Sequence, residues 1–394
     1  MAVTELRSYL TPARLRNLLT GLLVVLCLPA QAAVLPEERV DSLYHSYDGG
    51  GVTIDGPSIL VRKNIGETVS LSANYYVDMI SGASIDVEAT ASAYSEERKE
   101  YSLGADYLVD KTRLSVGYTN SNEDDYQAET TSFSVSQDFF GDLSTLSMRV
   151  SFGNDDVGRN GDENFAAEAT HRRYGLTWNQ VLTPKLMAAL SIETVSDEGF
   201  LNNPYRSVRY LDPTVEKGFS YEPELYPTTR NSDALALRAI YRLPYRAALK
   251  GEARTYADSW GISARNFELR YTHPLRESLL LEAKLRQYQQ NGADFYSDLF
   301  DYSEATNFRA RDKELSDYTT STLGLGVTYR LPGNWSLLSD RNTINLYWDY
   351  MMFDYDNFSD VRVHERETNT LGAGEEPSYK FASNVIRLYW SLWF

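Results

Sequence analysis

Apolar residues recur at every second position along most of this chain. Leu71, Ala73, Tyr75, Val77 and Met79 alternate with Ser72, Asn74, Tyr76 and Asp78. Tyr101, Leu103, Ala105 and Tyr107 do the same, as do Leu146, Met148, Val150 and Phe152. The late segments are clearest: Leu323, Leu325, Val327 and Tyr329, then Ile344, Leu346, Trp348, Tyr350 and Met352. Such spacing puts one apolar and one polar face on each strand. Helical spacing appears nowhere with comparable strength.

The connectors between these segments alternate in kind. Short ones read "IGET", "VDKT", "FGDL", "LTPK", "LPYR", "HPLR" and "LPGN". Long polar ones are expected over 82–98, 120–127, 154–169, 200–230, 291–315 and 358–379. Short turns on one side and long loops on the other describe an antiparallel up-and-down transmembrane β-barrel. A sandwich would mix loop lengths at both ends. "YRLP", "YTHP" and "YRLP" end strands at 241–244, 271–274 and 329–332. They set tyrosines at one rim, while Tyr118, Tyr174 and Tyr350 fall at the other, as interfacial girdles require.

The final strand, "IRLYWSLWF", fixes the orientation. Ile386, Leu388, Trp390, Leu392 and Phe394 share its apolar face. If that strand ends in the periplasm, the short turns are periplasmic and the long loops extracellular. An additional up-running strand is then needed before 58–65, and Arg39–Asp48 with its triple-glycine turn supplies it. The expected count is about sixteen, with fourteen as the alternative because Arg39–Asp48 alternates poorly. An apolar strand ending in phenylalanine also resembles the signal by which bacterial assembly machinery selects outer-membrane proteins. Leu388, Trp390, Leu392 and Phe394 are its expected elements.

Charge and cysteine usage narrow the picture further. Arg7, Arg14 and Arg16 precede a short apolar run, Leu18 to Leu28, and the small-residue site Ala30-Gln31-Ala32. This is the pattern of a cleaved secretory signal over residues 1–32, with the barrel over 33–394. The run is shorter than the ~17–25 residues a membrane helix needs. Loss of three arginines and one glutamate takes the formal charge from −17 to −19. That acidity argues against nucleic-acid binding. The one cysteine, Cys27, lies in the signal, so the remaining chain holds no thiolate ligand or nucleophile.

Several segments resemble a family of uncharacterised bacterial proteins, a domain of unknown function with an expected outer-membrane barrel. They include "YHSYDGGGVTIDGPSILVRKNIGE" (44–67), "NYYVDMISGASIDV" (74–87), "SQDFFGDLSTL" (136–146), "DEGFLNNPYRSVRYLDP" (197–213) and "LPYRAALKGE" (243–252). The resemblance spans nearly the whole chain after residue 32. It implies fold and location and brings no catalytic residues.

The faces opposite lipid carry the candidate chemistry. Arg238, Arg242, Lys250, Glu252, Arg254, Glu268, Arg270, Glu282, Lys284 and Arg286 are expected to line the lumen. Seven are basic within an acidic protein. They are either a charged wall that selects solutes or cross-strand ion pairs that fill the interior. The acidic stretches 122–125 and 153–164 gather oxygen ligands but match no EF-hand, so solvated loops are expected. His171, His273 and His364 sit beside no recognisable nucleophile motif. Loop 200–230, rich in proline and tyrosine, either enters the pore or presents an outer surface.

The expected function is a channel or transporter for small polar or anionic solutes, without metal or cofactor and not an enzyme. The alternative is a closed structural barrel that displays its loops; an outer-membrane hydrolase comes third. Expected partners are outer-membrane lipid and lipopolysaccharide, and the barrel-assembly machinery at the C-terminal strand. Mass spectrometry of the exported protein should find a chain beginning at Ala33, and an intact Met1 contradicts the signal. Deleting Phe394 should lower outer-membrane yield, and unchanged yield with normal heat-modifiable migration contradicts the assembly role.

Overall fold

The computed structural model describes residues 34–82, 94–332, 341–365 and 370–394. The expected signal segment and the junction before Ala33 lie outside them, as do residues 83–93, 333–340 and 366–369, in three connectors. The first half of the chain folds as β1 (Arg39–Gly49), β2 (Val52–Ile65), β3 (Val69–Gly82), β4 (Tyr94–Val109), β5 (Thr112–Asn122), β6 (Tyr126–Phe139), β7 (Ser144–Val157), β8 (Ala167–Thr183) and β9 (Leu186–Gly199). A small hairpin follows, β10 (Ser207–Leu211) and β11 (Phe219–Pro223). The rest is β12 (Thr229–Arg242), β13 (Ala248–Asp258), β14 (Ser263–Pro274), β15 (Leu279–Gln290), β16 (Tyr318–Arg330), β17 (Arg341–Ser359) and β18 (Ser378–Trp393).

Sixteen of these strands close into one antiparallel barrel, in which β10 and β11 take no part. Closure joins β1 to β18 from Arg39↔Trp393 to Gly49↔Ser383. The expected extra strand at Arg39–Asp48 is present, and the fourteen-strand alternative is set aside. Its turn is two residues, Gly50 and Gly51, with φ of 62° and 85°. Positive φ at both central positions is what a type I′ hairpin needs, and only glycine adopts it freely.

The apolar faces point outward. Leu103, Leu237 and Phe267 are exposed on the protein surface, Leu103 at 62%. Ile386, Leu388, Trp390 and Phe394 are exposed as well. Leu392 departs from this pattern and is buried, 3% exposed. It stands in register between Val40 and the fully buried Asn342, where the surface is closed over. Tyr118, Tyr174, Tyr241 and Tyr329 are exposed on the same outer face. A surface this apolar suits lipid, since water would disfavour it by roughly 25 cal/mol per Å².

The loops differ from expectation in length. The connector expected over 120–127 is only residues 123–125, and that over 154–169 is only 158–166. The strands run on past their apolar portions. Beyond the lipid both faces meet water, so alternation of hydrophobicity ends before the ladder does. The connectors after β1 and β13 are also short on this side. The long connectors among the described residues therefore follow β9, β15 and β17, over one arc of the rim, while the one expected over 82–98 falls largely on residues outside the description.

The topology places Gly161 and Gly141 at opposite ends of the barrel. An epitope inserted at Gly161 should bind antibody on whole cells, and one at Gly141 should bind only after the outer membrane is opened. The reverse labelling contradicts the orientation.

Candidate functional site in the barrel lumen

Register sets the lumen chemistry. Arg238, Glu252, Glu268, Arg286, Thr322 and Met351 follow one another across β12 to β17. One step toward the short-turn end, Lys250, Arg270, Lys284, Gly324 and Asp349 form a second row. The ten expected charges share one face of β12 to β15, and most are paired. Arg238 Nε donates to Glu252 at 2.8 Å. Lys250 lies 3.9 Å from Glu252 and 3.8 Å from Glu268, bridging two adjacent carboxylates. Arg270 reaches Glu268 at 3.1 Å and Glu282 at 3.0 Å. Lys284 pairs with Asp349 at 2.7 Å, and Arg254 with Glu193 at 3.0 Å.

Two cations differ. Arg242 has no ion pair among the described residues, and it stands at the short-turn rim. Arg286 donates from Nε to the Asn266 amide oxygen at 2.6 Å and meets no carboxylate among the described residues. Arg286 also borders two recesses. One, of about 470 Å³, is shared with Arg254, Glu268 and Tyr288. The other, of about 340 Å³, is shared with Arg270, Tyr347 and Arg387.

Sequence reasoning missed several of these partners. Asp349, Tyr347 and Arg387 lie on the polar faces of β17 and β18. Carrying the period-two count of charges past residue 288 would have found them. Glu193 sits two strands from Arg254, a pairing that only the barrel register reveals. The facing wall was also missed. Ser136 and Ser147 are 2.9 Å apart, Thr177 and Ser191 3.0 Å, and Ser102 and Thr119 3.0 Å. Hydroxyl side chains predominate there, but this wall carries cations too: Arg113 is in register with Ser136, and Arg149 donates to Ser132 at 3.3 Å.

The loop after β15 enters this space. Its 3₁₀ turn, Lys313–Leu315, hangs on the inward-facing Gln290, whose amide donates to the carbonyls of Glu314 at 2.8 Å and Ser316 at 2.9 Å. Glu314 lines the same recess as Arg254 and Arg286. Tyr318, Tyr355, Tyr379 and Phe381 pack beside it with Tyr296 of the same loop. Loop 200–230, expected at the pore or outside it, docks on its neighbours through β10, with Leu211 N donating to Phe300 O at 2.8 Å.

A buried ion cluster joins the three long loops. Arg209 is fully buried and reaches both Asp298 and Glu376. Arg311 reaches Asp298 at 2.9 Å, and His364 reaches Glu376 at 2.6 Å. Burial alone would raise the Glu376 pKa. Hydrogen bonds and charge from Arg209, with His364, outweigh that and bring it down to about 2.

The other histidines are also engaged. His171 stands between Asp155 at 2.9 Å and Asp197 at 2.7 Å. His273 contacts Tyr271 at 3.0 Å. Among the described residues, no group of acidic, histidine or cysteine side chains is arranged to hold a metal ion.

Comparison with known proteins places this geometry. A family model described as "Protein of unknown function (DUF3570)" matches residues 87–175 and 168–345, more than half of the chain. No curated protein matches the sequence. A bacterial polysaccharide outer-membrane secretin aligns at 7% identity and a TM-score of 0.51, over 93% of this chain and 99% of that one. The siderophore receptor PirA from Pseudomonas aeruginosa aligns at 12% identity and 0.43, over 83% and 60%. This chain therefore spans only 60% of that receptor's length. OccK1 (OpdK) from the same organism aligns at 8% identity and 0.44, over 92% and 100%. The likeness to the secretin is one of fold.

The loop cluster generates an acid prediction. A carboxylate whose pKa is lowered on folding stabilises the fold above its unfolded value and ceases to as pH falls through its folded value. Loop docking should therefore persist at about pH 4 and weaken only as pH approaches about 2. Pepsin cleavage of the loops should rise over that lower interval. Arg209→Met leaves two buried carboxylates short of their partner and should cost about 3–5 kcal/mol of loop docking. Pepsin resistance of that variant equal to the parent's contradicts the cluster's role.

Proposed function

The chain belongs to the DUF3570 family of proteins of unknown function, and we propose that it is an outer-membrane channel or transporter for small polar or anionic solutes. The observation that carries this reading is Arg286, a lumen cation that borders two recesses and meets no carboxylate among the described residues. A sixteen-strand barrel is wide enough for water unless plugged. In a narrowed lumen the effective dielectric falls, so one uncompensated cation outweighs many paired ones. Solutes would diffuse between the two walls, past the 3₁₀ turn at Lys313–Leu315. No chemical step is assigned to the protein.

The location follows from the same reading. The exposed apolar belt suits the outer membrane, with lipid and lipopolysaccharide around it. Leu388, Trp390, Leu392 and Phe394 would be read by assembly machinery, although the enclosure of Leu392 favours the other three as contacts. A second reading keeps one observation in its favour. The three joined loops lie over one arc of the rim, as in a barrel that displays a fixed outer surface.

Planar-bilayer recording separates the two. Across a KCl gradient the reversal potential should show weak anion preference. Replacing Arg254, Arg270 and Arg286 by glutamate should reverse it, with Arg286→Glu giving most of the effect. Concentrated salt should blunt the preference, since screening lengths fall to about 3 Å at 1 M. Absence of conductance favours the display barrel. Cation preference in the parent places control with the loop carboxylates.

A further inference from the structure

The smaller recess beside Arg286 is built differently from the rest of the lumen. Two glycines of β16 hollow its wall. A Cβ on Gly326 would lie 2.5 Å from the Tyr347 ring, and one on Gly324 would lie 2.7 Å from Cε of Lys284. Any side chain there would push the ring and the ion pair into the lumen. Tyr347 and Tyr389 are parallel to within 5°, with centroids 5.8 Å apart. Both are only half-buried, so the pair presents aromatic surface to the recess.

The charges around this surface do not cancel. Arg270, Lys284, Arg286 and Arg387 face only Glu282 and Asp349, an excess of two positive charges among the lining residues. Asp349 is already held by Lys284 and Arg387, each at 2.7 Å, and Glu282 by Arg270 at 3.0 Å. One charge of that excess lies with Lys284 and Arg387, which share Asp349; the other is Arg286, which is anchored through Nε and has no described partner on its two terminal nitrogens. A guanidinium held in this way offers a fork that matches a carboxylate. An aromatic face a short distance away suits the flat side of a ring.

We infer that this recess is a binding subsite for a ring-bearing carboxylate, with Arg286 receiving the carboxylate and Tyr347 and Tyr389 receiving the ring face. The inference deepens the channel reading and rests on it only for access through the lumen. Inorganic phosphate would satisfy the charge but leave the tyrosines unused. The ring is either an aromatic acid or a pyranose acid, and both present a face and a carboxylate in the same relation.

Calorimetric titration of the purified full chain in detergent tests this with 4-hydroxybenzoate, galacturonate, 4-hydroxybenzamide, acetate and phosphate. At least one ring acid should bind about tenfold or more tightly than the neutral amide, acetate or phosphate. Whichever acid binds tighter identifies the ring. Arg286→Gln should erase the gap between acid and amide, and Arg286→Lys should keep part of it. Tyr389→Leu should weaken the ring acid and leave acetate unchanged. Heat-modifiable migration verifies that each variant is folded. Acetate or phosphate binding as tightly as both ring acids overturns the subsite, as does unchanged selectivity in folded Arg286→Gln. Conductance without this selectivity removes the subsite and leaves the channel. Selective binding without conductance does the opposite.

Discussion

Lipid offers no hydrogen bonds, so every backbone N–H and C=O at membrane depth must find a partner within the protein. The pairing of β1 with β18 meets that demand. Without it two strand edges would stand open, each exposed polar group costing several kcal/mol in hydrocarbon. The continuous register from Arg39 to Trp393 makes the rest possible: an apolar exterior, a fixed inward set of side chains, and a rim on which loops can meet.

Closure turns the core question around. The barrel's outer face is apolar and its interior is polar, so the interior must satisfy charges rather than bury hydrocarbon. The wall from β12 to β18 does this by pairing cations with carboxylates on the same and neighbouring strands. Exposed pairs of this kind stabilise by only about 0–1 kcal/mol each. Their larger effect is to neutralise one another, and that leaves Arg286 as the group through which the wall acts on a solute. The opposite wall mixes serines, threonines and glycines with charges of its own, Arg113 and Arg149 among them. Hydrophobic clusters exist, but they lie at the loop end, around Trp260 and around Phe358. There they and the Arg209 cluster organise segments that the ladder does not hold.

The fold was legible because a strand half in lipid repeats every two residues, and Leu323 to Tyr329 or Ile344 to Met352 display that period without interruption. The poorly alternating Arg39–Asp48 was found from parity and closure, not from its own pattern. Strand ends were misjudged where both faces meet water, as at Asn120–Asn122 and Asn154–Val157. The inward charges were legible by the same period, but their neutralisation was not, since Glu193 and Asp349 meet their cations only through the sheet register. The entry of Glu314 into the lumen was not legible at all. It depends on Gln290 binding two loop carbonyls, a contact no local pattern encodes.

The central claim is an open lumen with net positive potential at Arg286. The chain's one cysteine is Cys27, so the barrel offers no competing thiol. Met351, one strand beyond Thr322 in the row that holds Arg286 and lining the same recess, can then be replaced by cysteine as a probe. Its rates of reaction with an anionic sulfonate and a cationic ammonium methanethiosulfonate, each divided by the rate with a free thiol, report access and potential together. The account predicts faster modification by the anionic reagent, with the difference lost in Arg286→Gln. No modification by either reagent, or faster modification by the cation, contradicts it.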